Sequence, residues 1–147
     1  MQQLSTVSLP MLLMPPAITA PLSSVSASGG ASRTVTRKKG HYVQPSFSPD
    51  GSEIVFLRER GERLNSPTWS RDKGLYVIPT DGGKARRLTR SGVRPHFGRD
   101  AQRLFYMDWE SDDVRVLKSI DRETREERIH LRSDAATNMR VSPDGDW

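Results

Sequence analysis

Ser48-Pro49-Asp50-Gly51 recurs as Ser142-Pro143-Asp144-Gly145, and Gly98-Arg99-Asp100-Ala101 between them is a worn copy that keeps only the aspartate. This recurrence decides how the rest of the chain is read. In a type I turn the first residue supplies a side-chain oxygen to the turn backbone. Proline at the second position presets φ, and glycine at the fourth lets the chain leave with φ > 0. A short extended segment precedes each copy: Pro45-Ser46-Phe47, Pro95-His96-Phe97 and Met139-Arg140-Val141. An apolar run follows the first two, Ile54-Val55-Phe56 and Leu104-Phe105-Tyr106-Met107. Tight turns between such runs join antiparallel strands.

The copies start at positions 48, 98 and 142, so they are spaced by 50 and then 44 residues. Repeats of this period belong to solenoids, propellers or arrays. Working outward from the first turn, strands are expected at about 44–47, 53–58, 74–78 and 84–89, with Asp81-Gly82-Gly83 as the hairpin turn before the last. Residues 59–73, carrying Pro67 and Trp69, read as a long charged loop. The second copy gives strands at about 94–97, 103–107, 114–120 and 126–131, with Asp121-Arg122-Glu123-Thr124 in place of the glycine hairpin. Arg and Glu at three- and four-residue spacings over 121–132 also suit a helix; the repeat register favours a strand. The expected fold class is all-β: a partial β-propeller of two four-stranded blades, 44–89 and 94–131, with a third beginning at 139. Two blades and a start leave sheet faces and edges open, so the expectation is the front part of something longer.

Composition bounds the function. Cysteine is absent, which removes disulfides, thiolate metal sites and cysteine nucleophiles. The net charge is +5 and the pI about 10.0, which raises nucleic acid as a partner. The charge is divided, however: 33–103 carry 16 Lys and Arg against 7 Asp and Glu, and 104–147 carry 7 against 11. A solvated basic face beside an acidic one fits this division better than a nucleic-acid surface does, so nucleic acid is the disfavoured reading.

Residues 1–40 are expected to be a disordered leader and basic linker, with 41–147 as the propeller region. The apolar stretch Leu9-Pro10-Met11-Leu12-Leu13-Met14 is interrupted by proline and too short to span a bilayer. It is poor as a signal peptide because no Lys or Arg precedes Arg33, although Val25-Ser26-Ala27 resembles a cleavage site. Arg37-Lys38-Lys39 reads as part of the linker.

Two patterns carry a family resemblance. One is Phe47 with its Ser-Pro-Asp-Gly turn and Ile54-Val55-Phe56; the other is Leu75-Tyr76-Val77-Ile78, Asp81-Gly82-Gly83 and Arg86-Arg87-Leu88-Thr89. Together they resemble the TolB-type WD-like propeller repeat, over 44–147. Similar blades occur in the periplasmic protein TolB, in tricorn-type and prolyl-oligopeptidase-like peptidases, and ahead of the catalytic barrel in bacterial amidohydrolases. Arg94-Pro95-His96-Phe97, Leu117-Lys118-Ser119-Ile120-Asp121 and His130-Leu131 look most like the last group. The resemblance implies a bacterial, often periplasmic or secreted protein whose propeller packs beside or screens a hydrolase domain, the remaining blades and that domain being its partners. A stand-alone TolB-like interaction propeller and a serine peptidase propeller are the alternatives.

No catalytic residues are expected in this chain, nor a cofactor or metal. A Gly-x-Ser-x-Gly elbow is missing, and His41, His96 and His130 are never paired at short spacing, as amidohydrolase-type metal binding would require. Asp108, Glu110, Asp112 and Asp113 lack the turn glycine of an EF-hand and read as a solvated loop. The recurring aromatics Phe47, Phe56, Tyr76, Phe97, Phe105 and Tyr106 read as core between blades. Trp69 and Trp109, in non-equivalent loops, are the candidates for a partner surface.

Overall fold

A computed structural model describes residues 20–59, 72–142 and 144. Among these the regular structure is entirely β: β1 Ser23–Ser24, β2 Arg33–Thr34, β3 Tyr42–Phe47, β4 Glu53–Arg58, β5 Gly74–Pro79, β6 Arg86–Thr89, β7 Val93–Phe97, β8 Arg103–Trp109, β9 Arg115–Asp121 and β10 Glu127–Ser133. Strands β3 to β6 form one four-stranded antiparallel sheet in chain order, and β7 to β10 form a second. These are the two blades. The stretch that also suits a helix is a strand, β10, paired to β9 from Glu127 opposite Ile120 to Ser133 opposite Arg115. Its turn is set by Asp121, whose carboxylate accepts the Glu123 and Thr124 backbone N–H groups at 3.0 and 2.9 Å, and by Arg125 at φ 67°. Both features oppose helical propagation.

The blades repeat in their packing. Along β4 the side chains alternate between faces: Val55 and Leu57 point to the second blade, and Ile54 and Phe56 to the opposite side. Along β8, Leu104 and Tyr106 sit fifty residues after Ile54 and Phe56 and turn towards the first blade. Val55, Leu57, Leu75, Val77 and Leu88 of one blade thus share a core with Phe97, Leu104, Tyr106 and Ile120 of the other. Each such burial is worth about 1.5–3 kcal/mol relative to exposure, so the blades hold each other in place. Arg122 adds a polar tie, bonding Glu53 Oε2 at 2.5 Å and the Ala101 carbonyl at 2.9 Å while its guanidinium lies over the Phe97 ring.

Segment 20–40 departs from the expected disordered linker. β1 pairs with β2, an Ala20–Gly40 bridge closes the loop, and Val35 is buried with Ile54, Phe56 and Ile78. It therefore stands on the face of the first blade that corresponds to the one the second blade presents to the first. Val35, set beside Arg37-Lys38-Lys39, carries this packing together with Leu22, and a composition average conceals it.

Candidate functional site: the groove between the inner strands

Each blade's first strand carries an irregularity. The β3–β4 register shifts between Val43 and Ser46, and the β7–β8 register between Val93 and His96. At the shift Gln44 and Arg94 both take φ 54°, the left-handed region that L side chains rarely enter. Each is followed by proline, Pro45 or Pro95, which offers no N–H to the ladder, so the strand bulges where the pairing is broken. Gln44, Arg94 and Asn138 occupy one repeat position, four residues before each turn; Ser46, His96 and Arg140 occupy another.

The structure gathers these positions. β3 and β7 pack beside each other, and the Arg94 backbone N–H donates to Gln44 Oε1 at 2.6 Å. The 138–140 segment joins them, so Gln44, Ser46, Arg94, Asn138 and Arg140 line a groove of about 330 Å³ with the two prolines. Among the described residues no acidic side chain lines it.

His96 anchors the third repeat to this groove. It is buried, its Nε2 accepts the Val141 backbone N–H at 3.0 Å, and its Nδ1 lies 3.1 Å from the Arg94 carbonyl. Accepting at Nε2 fixes the neutral tautomer with the proton on Nδ1, donated to that carbonyl. Burial pushes the His96 pKa below its ordinary value, and the neighbouring positive charge of Arg140 acts the same way.

The turn that opened the sequence reading forms a closed hydrogen-bond set. Ser48 Oγ donates to Asp50 Oδ1 at 2.6 Å, the Ser52 hydroxyl donates to Asp50 Oδ2 at 2.8 Å, and the Glu53 N–H donates to Ser48 Oγ at 2.9 Å. The Ser48 and Ser52 bonds hold the Asp50 carboxyl down to about 2. Ser142 bonds Asp144 in the same way.

Trp109 ends β8 with about half its surface exposed; Trp69 lies outside the described residues. Asp108 accepts from Ser91 Oγ at 2.8 Å and pairs with Lys118, which places it within the blade's own framework. Among the described residues no group of three His, Asp or Glu side chains could hold a metal ion, and no helix is long and apolar enough to cross a membrane. Sequence reading missed one neighbourhood: Ser119 and His130, eleven residues apart, meet across β9 and β10 at 2.7 Å. Ser119 is fully buried and also accepts from Arg103 Nε at 3.0 Å, so the pair works as an internal tie. The inner-strand set was missed too, although aligning the repeats on their turns superposes Gln44, Arg94 and Asn138.

No known family's sequence profile matches the chain, and no curated protein is similar to it. Solved structures are similar. An oligogalacturonate lyase in complex with manganese matches with a TM-score of 0.59 and 21% identity, over 85% of this chain and 34% of that one. The β-propeller domain of the Trilobed protease from Pyrococcus furiosus, described as having an open velcro topology, matches at 0.51 and 15%, over 76% and 33%. The fold is a partial β-propeller. At these identities the likeness concerns fold alone, and the chain spans about a third of the length of either relative.

Proposed function

We propose that this propeller segment is a scaffold and interaction module of a larger bacterial protein, most simply the propeller that precedes an amidohydrolase-type hydrolase domain, and that it screens or gates access to that domain. The supporting observation is the way the blades are built. The first strand of each blade, the one that lines a propeller's axis, carries a register shift with a left-handed residue, while the sheets behind form a shared core. A site on a stiff scaffold, with function displaced to its irregular rim, suits recognition. The TolB-type repeat pattern supports the amidohydrolase neighbour through Arg94-Pro95-His96-Phe97 and Leu117-Lys118-Ser119-Ile120-Asp121. Trp109, with Trp69, is proposed as a contact surface for the accompanying domain.

The test is to read the gene past the third repeat, then purify the whole product and assay amide hydrolysis. A His-x-His motif downstream, with metal-dependent hydrolysis that Trp109→Ala alters for large substrates more than small ones, supports the proposal. Further blades followed by a stop would overturn the hydrolase part and leave a TolB-like interaction propeller. A Gly-x-Ser-x-Gly motif would replace the amidohydrolase with a serine peptidase.

A further inference from the structure

We propose that the inner-strand groove binds a carboxylate, with Arg94 and Arg140 as the recognising groups. The inference does not depend on which domain accompanies the propeller. Arg94 and Arg140 both line one groove of about 330 Å³, a size suited to a small ligand. Neither has an ion-pair partner among the described residues. Arg58, Arg103, Arg122, Arg128 and Arg132, by contrast, are paired with carboxylates. The rest of the lining is uncharged: Gln44, Ser46 and Asn138, with Pro45 and Pro95. Because Gln44 Oε1 already accepts the Arg94 N–H, the amide of Gln44 has its Nε2 as the remaining group, which is a donor. A site made of fork-shaped cations and amide donors, with no competing acid, matches a planar oxyanion that takes paired N–H bonds.

The backbone supplies the second observation. Arg94 is held at φ 54° on a bulge, as is Gln44 at the matching position. Strain of this kind persists only where the surroundings over-determine it, and here it fixes where each side chain leaves the strand. The same position thus projects Gln, Arg and Asn from three successive repeats into one groove. Arg140 is set by the segment that His96 anchors through the Val141 N–H.

The test uses the full chain and calorimetric titration with two carboxylate probes, citrate and a capped tri-aspartate peptide, and with inorganic phosphate as the comparison. The expected result is saturable binding of at least one carboxylate, weakened about tenfold or more by Arg94→Gln and by Arg140→Gln, since each removes charge-assisted hydrogen bonds. Lys39→Gln, the same charge change outside the groove, leaves it unaltered. Arg94→Gln installs the residue that the first blade already carries at this φ, so the variant is expected to fold, and its melting curve checks this. Binding of citrate alone identifies a free acid as ligand; binding of the peptide identifies an acidic chain segment; either supports the site. Phosphate bound as tightly as both carboxylates, absence of binding, or equal loss in Lys39→Gln would overturn it. Arg94→Lys sharpens the result: it keeps the charge and loses the fork, so a several-fold loss is expected.

Discussion

The turn at 48–51 and the turn at 98–101 do the same job with different residues. In both, the fourth residue takes a left-handed φ, 72° for Gly51 and 57° for Ala101. Its N–H donates to the first carbonyl, at 2.9 and 3.2 Å. The aspartate accepts a backbone N–H two residues on, at 3.1 Å in the first turn and 3.0 Å in the second. The second turn has lost its proline and glycine and keeps the geometry because Ala101 packs against the core between the blades and its carbonyl is held by Arg122. Tertiary contacts there replace what local preference supplies in the first turn. The repeat is thus kept as backbone shape, with the aspartate as the residue common to both turns.

The blades differ as strongly in how their faces are covered. The first blade packs on 20–40 on one side and on its neighbour on the other. The second has its neighbour on one side, and on the other, among the described residues, Met139, Ala136 and Val141 packed with Val93 against Met107 and Leu117. Its last strand leaves Ile129 and Leu131 exposed. Leu104→Ala, at the interface of the blades, is therefore expected to lower unfolding free energy by about 2–5 kcal/mol. Leu131→Ala in the same blade is expected to change it by less than about 0.5 kcal/mol, as for an exposed position. Chemical denaturation of both variants measures the contrast, and equal effects would erase it.

Substituting the turns tests the first comparison. Nothing lies within 4 Å of a Cβ added at Gly51, so Gly51→Ala meets only the left-handed penalty and should destabilise by about 1–2 kcal/mol. In Ala101→Gly, relief of that penalty is offset by the lost methyl packing and by a looser unfolded chain, so thermal melting should show a change below about 0.5 kcal/mol. A double-mutant cycle on Glu53→Gln and Arg122→Met should return a coupling of about 1–2 kcal/mol between the blades, as a mostly buried charge-assisted pair does.

The smallest effect concerns acid. His96 and His130 both have pKa values pushed down, chiefly by burial. The unfolded chain therefore takes up protons that the folded chain refuses, and stability falls as pH drops below the ordinary histidine value of 6.5. The loss continues until the depressed folded values are reached. Urea titrations between pH 7.5 and 5 should show this slope, reduced in His96→Gln, with the remainder due to His130.

The strands and their order were legible because turn chemistry and alternating apolar runs are local signals, written twice. The β10 strand was legible only through the repeat, since the Arg and Glu spacing there also fits a helix. Three features were not legible. Val35 and Leu22 are isolated apolar residues in a polar stretch, and their packing depends on a sheet face that forms elsewhere. Ser119 and His130 meet through strand pairing, for which eleven residues of separation give no cue. The groove joins residues 44, 94 and 138, whose proximity exists only once the blades are packed; the signal was their common distance from each turn.

Native-state hydrogen exchange on Leu57→Ala tests most directly whether the two blades form one unit. Leu57 belongs to the first blade and to the shared core. The Leu104 and Tyr106 amides of the second blade are expected to lose as much protection as Val55 of the first, because one opening exposes both. Faster exchange confined to the first blade would contradict it.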